Sequence, residues 1–408
     1  NLSSKLVKGG GYPIKMPFID VSEIGAGGGS IIGIARMNQV SVGPQSAGAS
    51  PGPACYHADY ARWQAHWATP NRPSLAGALP PPAAVRGRPS SVATVTDANL
   101  VLGRLNAAHF LGGHMALYPA SAAAAVGALA GALGVPAERA ALAVVRVANA
   151  TMERAIRRIS VERGHDPRRF TLVAFGGGGP LHACELAAEL RIPRVLVPLT
   201  PGVLSALGLL AAPPTRDYSR TILRSLSDLP AAALDALFAP LQARGEAEMA
   251  AEGHTAATLS WRRAPDLRYV GQSHELTVVA PPGAAGADMA AAFHAAHAAR
   301  YGYARPEAAV ELVNARLTAT APGAPPALPR ETMGPAAAAE AFVGRQAVWF
   351  AEGPRPADLY DRERLRAGQR FAGPAVVYQY DTTTLVPPGW RAEVDERLNL
   401  ILEPERAI

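Results

Sequence analysis

A run of glycines ending in a histidine is the part of this 408-residue sequence best suited to hold a ligand: Phe175-Gly176-Gly177-Gly178-Gly179-Pro180-Leu181-His182. Glycine has no Cβ, so a ligand can lie against the backbone, and the N–H groups that open a following helix attract phosphate. The run lacks the Lys and Ser/Thr of a Walker A loop, and its glycines are not spaced as in GxGxxG. A nucleotide is one candidate ligand. The alternative is a sharp turn that needs a positive φ and nothing more.

His182 follows the glycine run and lies in the first turn of the helix that Pro180 opens. At that position it can act as a metal ligand, a phosphate contact or an acid–base group. The alternative is a histidine that caps or packs locally, because no second ligand is spaced with it in the sequence.

A second glycine loop, Gly27-Gly28-Gly29, comes after two carboxylates, Asp20 and Glu23. Carboxylates before a flexible loop can hold a divalent cation such as Mg²⁺ while the loop N–H groups face phosphate oxygens. Asp20 and His182 are therefore the candidate metal ligands. The alternative is the end of a strand with solvated acids.

Three other residues have simpler interpretations. Asp97 is predicted as the N-cap of a helix over residues 100–105. Cys184 is typical of a small buried hydrophobic residue, and Cys55 has no base beside it in the sequence. Two cysteines exclude a disulfide framework and a multi-cysteine metal cluster, and they fit a reducing cytoplasm.

The elements that must position these residues form a βαβ unit. Residues 171–175 and 195–197 are short apolar runs typical of strands, and a helix over 180–190 lies between them. A longer helix over 138–163 precedes the unit. Its apolar stripe consists of Leu142, Val145, Ala148, Met152, Ile156 and Ile159.

The remaining chain predicts two domains. Residues 57–92 are rich in Pro, Ala and Arg without a period, which indicates an inserted loop or a disordered segment. After about residue 215, alternating segments at 266–270 and 274–279 and a helix at 287–300 indicate an α+β region that closes in β-structure. We expect a core domain over 1–215, with the insertion at 57–92, and a C-terminal α+β domain over 216–408.

Composition excludes two classes of partner. The net charge is +6 and the pI about 9.5, but no Lys/Arg run with interleaved aromatics appears, so we expect no nucleic-acid partner. The longest uncharged stretch, residues 118–137, is mostly Ala and Gly and too weakly apolar to span a membrane.

Several segments together resemble the hydantoinase/oxoprolinase family, specifically its ATP-dependent N-methylhydantoinase A-type subunit. Besides the glycine run at 175–183, they are Ile24-Gly-Ala-Gly-Gly-Gly-Ser30, the stretches 42–56 and 94–105, Pro201-Gly-Val-Leu-Ser-Ala-Leu-Gly-Leu-Leu210, Asp266-Leu-Arg-Tyr-Val-Gly-Gln272, Arg300-Tyr-Gly-Tyr303 and Tyr380-Asp-Thr-Thr-Thr384. Nearly the whole chain takes part, apart from residues 57–92.

The resemblance implies an α/β fold, namely part of an actin-like ATPase of ribonuclease-H type followed by an α+β, β-rich C-terminal region. It implies ATP and Mg²⁺ or another divalent cation as cofactors, with Gly176, Gly177, Gly178 and Gly179 resembling an adenosine-binding motif and Gly27, Gly28 and Gly29 lining the same cleft. It also implies a cytoplasmic hydrolase subunit that opens a cyclic amide of hydantoin or 5-oxoproline type after phosphorylation of the substrate oxygen, in complex with a second, B-type subunit.

Two alternatives stay open. Relatives in this family include subunits of acetone and acetophenone carboxylases, which activate a ketone, and the chain can also be a catalytically silent scaffold. The family's phosphate loops have the pattern Asp-x-Gly-Gly-Thr, which none of Asp20, Asp97 and Asp381 satisfies. We therefore expect the chain to be the C-terminal portion of a longer polypeptide or a truncated gene product, inactive alone. No catalytic base is assigned.

Overall fold

A computed structural model describes residues 21, 23–34, 39–68, 93–280 and 283–405. Asp20, one of the candidate metal ligands, lies outside these residues. Two compact units are present: one is Leu207–Pro326, and the other combines the described residues of Asp20–Ala206 and Ala327–Ile408. This division differs from the expected boundary after residue 215, because the described residues of 327–408 belong to the same unit as the described residues of 20–206.

The elements before residue 212 are mainly helical. The strands are β1 (Ser30–Ile34), β2 (Val40–Ser46), β3 (Thr171–Val173) and β4 (Arg194–Val197). The helices are α1 (Tyr60–Ala68), α2 (Val95–Val101), α3 (Pro119–Leu133), α4 (Ala137–Ile159), α5 (Gly179–Leu190) and α6 (Leu204–Ala211).

The remaining elements are mainly strands. Residues 212–326 contain β5 (Thr215–Ser225), α7 (Ala231–Ala251), β6 (Ser260–Arg263), β7 (Asp266–Tyr269), β8 (Leu276–Thr277), α8 (Gly286–Tyr301) and β9 (Val310–Thr320). They are followed by β10 (Phe342–Phe350), β11 (Gly353–Asp361), β12 (Arg370–Ala372), β13 (Ala375–Tyr378), β14 (Thr383–Val386), β15 (Trp390–Val394) and β16 (Leu400–Pro404). The α/β class predicted from the sequence is confirmed.

The sheet that carries the long glycine run has the strand order β12-β15-β16-β4-β3. Strands β3 and β4 are parallel and are connected through α5, so the predicted βαβ unit is confirmed. Strand β16 pairs antiparallel with β4, with Leu400 opposite Val197. Both residues are fully buried, and this pairing explains why the C-terminal part of the chain belongs to the same unit as the glycine run.

Helix α4 buries one side against the core, as its periodicity predicts. Leu142, Val145 and Ala148 are buried, and so is the polar Asn149, whereas Ile159 at the helix end is 40% exposed. The chain leaves the helix through a short 3₁₀ turn and Gly164, whose φ of 81° suits glycine.

Two local expectations differ from the structure. Within residues 57–92, a helix is present at Tyr60–Ala68 and anchors itself through the buried Trp63; residues 69–92 lie outside the described part. Helix α2 starts at Val95, not at residue 100, because Thr94 is the N-cap. The Asp97 carboxylate accepts a hydrogen bond from the Thr94 N–H, which completes a capping box.

The unit Leu207–Pro326 is built on a sheet of order β5-β9-β7-β8, with β6 also paired to β9. Its core includes Phe238 of α7 and Phe293 of α8. The predicted strand over 274–279 is reduced to the two residues of β8.

Among the described helices, none is by itself both long and apolar enough to cross a bilayer. Helices α3 and α4, together with the short turn after α4, meet that length and composition test only as a pair bent by 90°. Both helices bury apolar residues inside the protein.

Candidate functional site

A cavity of about 230 Å³ brings the two glycine loops together. Gly28 and Gly29 line one part of it, and Gly177 and Gly178 line another, whereas Gly27, Gly176 and Gly179 do not take part in the lining. The other lining residues are Tyr56, Thr96, Asn99, Leu105, Phe110, Leu111, Leu181, His182, Gln379, Tyr380, Asp381, Thr382 and Thr383. Pockets for whole drug-sized ligands usually begin at about 300 Å³, so this cavity suits a part of a nucleotide.

Among the four glycines at 176–179, only Gly176 is required by the backbone conformation of the turn. Gly176 has a φ of 81°, which strongly favours glycine, and its N–H donates to the Pro201 carbonyl at 2.8 Å. Gly178 has an ordinary φ of −112°, and a Cβ built on it would meet nothing within 4 Å. The backbone at Gly178 is thus exposed to open space, which a plain turn does not require.

The backbone N–H groups of Gly177 and Gly178 are also available to a ligand. Gly178 is the N-cap of α5, and no side chain caps the helix there. In the part of the chain that the structure describes, no acceptor is found for the N–H groups of Gly177 and Gly178. Unpaired N–H groups at the start of a helix are available to an acceptor atom of a ligand.

The C-terminal strands hold the turn in place. The Thr382 hydroxyl lies 3.0 Å from the carbonyl oxygens of both Gly176 and Gly177. Next to it, the Asp381 carboxylate accepts hydrogen bonds from the Gly202 N–H at 2.7 Å and from the Gln379 amide at 2.7 Å. Residues about two hundred positions away along the chain therefore position the glycine turn, a role that sequence reasoning missed although Tyr380–Thr384 was one of the resembling segments.

The glycines of the first loop have a different explanation. The Gly28 carbonyl accepts from the Thr96 N–H at 2.9 Å, and the Gly29 carbonyl accepts from the Ala47 N–H at 2.8 Å. A Cβ on Gly28 would lie 2.8 Å from the Thr96 hydroxyl, and one on Gly29 would lie 2.9 Å from the Ser46 hydroxyl. Close packing within the chain accounts for these two glycines, which form a fixed wall of the cavity.

His182 ends a chain of buried polar groups that sequence reasoning did not find. Its Nδ1 lies 2.7 Å from the Asn149 Oδ1, and the Asn149 Nδ2 lies 2.6 Å from the Glu185 Oε2. The other carboxylate oxygen of Glu185 pairs with Arg104 Nη2 at 2.8 Å. Arg104 is 2% exposed and His182 is 5% exposed. The one available signal for Asn149 was a polar residue next to the apolar stripe of α4.

Burial determines the charge of His182. Desolvation lowers the pKa of the imidazole to about 4; the Glu185 carboxylate opposes this effect and Arg104 adds to it. The ring is therefore neutral at pH 7. A neutral ring offers no positive charge to a phosphate, and its pKa is too far below neutrality for efficient acid–base catalysis.

The predicted metal role of His182 finds no support among the described residues. They include no group of three or more His, Cys, Asp or Glu side chains that could hold a metal ion, and His182 already uses its Nδ1 with Asn149. Asp20, the other predicted ligand, lies outside the described residues.

The two cysteines are buried and unsuited to nucleophilic catalysis. Burial raises the pKa of the Cys55 thiol well above its usual value, and the nearby Asp97 carboxylate raises it further. Burial likewise raises the pKa of Cys184. Since the thiolate is the reactive form, both remain protonated and inert at neutral pH.

Aromatic and apolar side chains form part of the cavity lining. Tyr380 is 56% exposed, and the Phe110 and Tyr56 rings lie 5.9 Å apart. Leu111, with a φ of 50°, and Gly112, with a φ of 64°, bring the segment 110–113 against Tyr380. Flat apolar surfaces of this kind suit a ring system such as a nucleobase.

A larger, open depression of about 470 Å³ lies away from both loops. Several of its charged lining residues have ion-pair partners: Glu403 pairs with Arg194 at 2.7 Å and with Arg391 at 3.0 Å, and Glu393 pairs with Arg370 at 3.0 Å.

Comparison with known proteins adds the family context. The model of the Hydantoinase/oxoprolinase family matches residues 3–62 and 68–218, and the model of the Hydantoinase/oxoprolinase C-terminal domain matches residues 227–403. Most of residues 57–92, expected to be an insertion, thus falls within the first match.

Individual relatives cover nearly all of the chain. An uncharacterized protein of Methanocaldococcus jannaschii is 36% identical over 395 residues, covering 97% of this chain and 52% of that protein. The alpha subunit of caprolactamase from Pseudomonas jessenii is 32% identical over 403 residues, covering 96% of this chain and 54% of that subunit. A nucleotide-free structure of acetone carboxylase, from work on ATP-dependent acetone carboxylation, has a TM-score of 0.77 at 26% identity, covering 94% of this chain and 52% of that one. The chain spans about half the length of the curated relatives it matches.

Proposed function

Because the chain belongs to the hydantoinase/oxoprolinase family, we propose that its cavity binds the adenosine part of ATP and that it serves as a subunit of an enzyme that opens a cyclic amide. The observation that carries the proposal is the open backbone of Gly177 and Gly178 at the N-terminus of α5, facing the wall formed by Gly28 and Gly29.

The residues of the chain fit a nucleoside better than a triphosphate. The cavity lining combines aromatic rings with glycine backbone, and no Lys or Arg is among its described lining residues. The pattern Asp-x-Gly-Gly-Thr does not occur in the sequence. We infer that the groups that hold the β- and γ-phosphates and Mg²⁺ belong to another part of the assembled enzyme.

ATP, when bound, would supply a phosphoryl group to the amide oxygen, which would make the carbonyl carbon a better electrophile for water and allow the ring C–N bond to break. The chain contributes positioning to this chemistry. The Thr382 hydroxyl lies 3.0 Å from the carbonyl oxygens of Gly176 and Gly177 and so restrains the peptide groups to which the N–H groups of Gly177 and Gly178 belong. Preorganised groups of this kind lower the entropic cost of binding.

Cyclic amide opening is favoured over ketone activation by similarity, since the caprolactamase subunit is 32% identical and the acetone carboxylase chain 26%. The carboxylase likeness, with its TM-score of 0.77, makes activation of a ketone the second candidate. A subunit that only serves as a catalytically silent scaffold is the third candidate; it predicts at most weak nucleotide binding.

ATP hydrolysis by the chain assembled with its partner subunit separates these functions. We expect phosphate release that depends on a cyclic amide, tested with caprolactam, hydantoin and 5-oxoproline. Release that depends on acetone or acetophenone with bicarbonate, and not on any amide, would favour the carboxylase function. Assembled protein that releases phosphate with neither class of substrate would contradict both.

We also propose a second, B-type subunit as partner, because the caprolactamase relative is itself named as a subunit. Co-expression of the chain with the product of an adjacent B-type gene, followed by size-exclusion chromatography, tests this. A stable complex supports the proposal, and elution of the two proteins as separate species contradicts it.

A further inference from the structure

We propose that His182 determines which nucleoside the cavity accepts, by presenting its Nε2 as a fixed, neutral hydrogen-bond acceptor to an N–H or O–H group of the ligand. The inference rests on the proposed binding of a nucleotide and adds to it the residue that recognises the nucleoside end. It replaces the metal, phosphate and acid–base roles that the sequence suggested for this histidine.

The polar chain behind His182 permits one arrangement of protons. An ionised Glu185 can only accept, so the Asn149 Nδ2, 2.6 Å from the Glu185 Oε2, donates to it. The Asn149 Oδ1 must then accept, and the proton of the imidazole resides on the Nδ1, 2.7 Å away. The Nε2 is left with its lone pair, and Arg104 fixes the far end of the chain through Glu185. Arg104, Glu185 and Asn149 are thus positioning residues for one acceptor atom.

The charges around the cavity decide which end of a nucleotide this acceptor meets. Among its described lining residues Asp381 is the one acidic side chain, and none is Lys or Arg. A phosphate placed there would meet a lone pair and an acidic side chain, with no cation among the described lining residues to balance them. A neutral hydroxyl or amino group, in contrast, completes the hydrogen bonding of the Nε2.

A second side chain in the lining supports the same preference independently. Asn99 is 1% exposed, and its Nδ2 donates to the Val95 carbonyl at 3.1 Å. Its Oδ1 has no hydrogen-bond partner in the described part of the chain. An unpaired buried oxygen costs free energy, which a donor brought close by a ligand can recover. Two residues of the cavity lining, Asn99 on α2 and His182 on α5, therefore carry an acceptor without a partner among the described residues, and a nucleoside carries donors on its ribose and on its base.

Calorimetric titration with nucleoside diphosphates tests the inference. The ligands are ADP, 2′-deoxy-ADP, 3′-deoxy-ADP and purine riboside diphosphate, which lacks the exocyclic amine. In the unmodified protein we expect at least one of the three analogues to bind about tenfold more weakly than ADP, because it lacks the donor that the Nε2 accepts. That analogue identifies the group as a ribose hydroxyl or as the base amine.

Two variants connect this loss to His182. In His182→Phe the ring is retained without an acceptor, so the same analogue should bind as well as ADP. In His182→Gln the side-chain amide can donate to Asn149 and still offer an oxygen, so part of the discrimination should return. Thermal melts of both variants verify that they fold, and if His182→Phe does not, His182→Gln and the ligand series on the unmodified protein still decide.

The outcomes distinguish the role of His182 from nucleotide binding by the cavity. Equal ratios of ADP to analogue affinity in the unmodified protein and in the variants, or no analogue weaker than ADP, overturn the role of His182 but leave nucleotide binding intact. Absence of ADP binding to folded, unmodified protein overturns the proposed function and this inference together.

Discussion

The Nδ1 of His182 lies 2.7 Å from the Oδ1 of Asn149, which joins the helix after the glycine turn to the buried side of α4. Through this contact a residue of the cavity lining is connected to the Arg104–Glu185 pair, in which Arg104 is 2% exposed and Glu185 is 30% exposed. The neutral state and the tautomer of the imidazole are both consequences of its surroundings.

The buried histidine predicts a pH dependence of stability. Its pKa is about 4 in the folded chain and about 6.5 when exposed, so between these values the unfolded state binds the additional proton. The contribution of the neutral His182 to the free energy of unfolding is fully present above pH 6.5. It decreases as the pH falls toward 4, by at most about 3 kcal/mol. We expect the free energy of unfolding of His182→Gln, measured with urea between pH 4 and 7.5, to change less with pH than that of the unmodified protein. Parallel curves would contradict the assigned neutral state.

Loss of one partner of the Arg104–Glu185 pair should be costly. The Arg104 side chain is 2% exposed, and its Nε and Nη1 have no partner among the described residues, so Glu185 supplies its balancing charge. Because Glu185 is 30% exposed, we expect Glu185→Gln to lower the free energy of unfolding by about 2 kcal/mol, somewhat less than for a fully buried pair.

An exposed pair on α4 supplies the control. Glu153→Gln removes the partner of Arg157, which is 49% exposed, and should cost less than about 0.5 kcal/mol. Chemical denaturation measures both variants. Equal losses for Glu185→Gln and Glu153→Gln would show that the buried pair has no special role.

Thr382 is expected to position the glycine turn through its hydroxyl. Thr382→Val keeps the shape of this 6% exposed side chain but removes the hydroxyl whose single proton is shared between the Gly176 and Gly177 carbonyl oxygens. We expect a stability loss of about 1–2 kcal/mol and weaker binding of ADP by about three- to tenfold. Thr382→Ser keeps the hydroxyl and should bind ADP almost as the unmodified protein does. If the valine and serine variants bind ADP equally, the hydroxyl does not position the loop.

Local patterns were sufficient to predict the elements around the cavity. The period of α4, the apolar runs of β3 and β4 and the proline that opens α5 each state a local preference that the structure follows. The start of α2 was misplaced because Asp97 can serve either as an N-cap or as the third residue of a capping box, and Thr94 decides between them.

Contacts distant in the sequence could not be predicted in the same way. The bonds from Thr382 to the glycine turn and the pairing of β16 with β4 depend on how the C-terminal part of the chain returns to the sheet, which no local pattern specifies. Asn149 was missed because a single buried amide on an apolar helix face becomes meaningful only when His182 and Glu185 are seen on either side of it.

Calorimetric titration of Gly178→Val with ADP tests whether the cavity between the glycine loops binds a nucleotide. The new side chain fits the fold, since Gly178 has a φ of −112° and a Cβ there meets no atom within 4 Å, but it projects where the ligand would lie. Gly131→Val, at an exposed position of α3 that also has free space, is the matched control. We predict that the unmodified protein and Gly131→Val bind ADP equally and that Gly178→Val binds at least about tenfold more weakly while melting within a few degrees of them. Undiminished binding of ADP to Gly178→Val would contradict nucleotide binding in the cavity between the glycine loops.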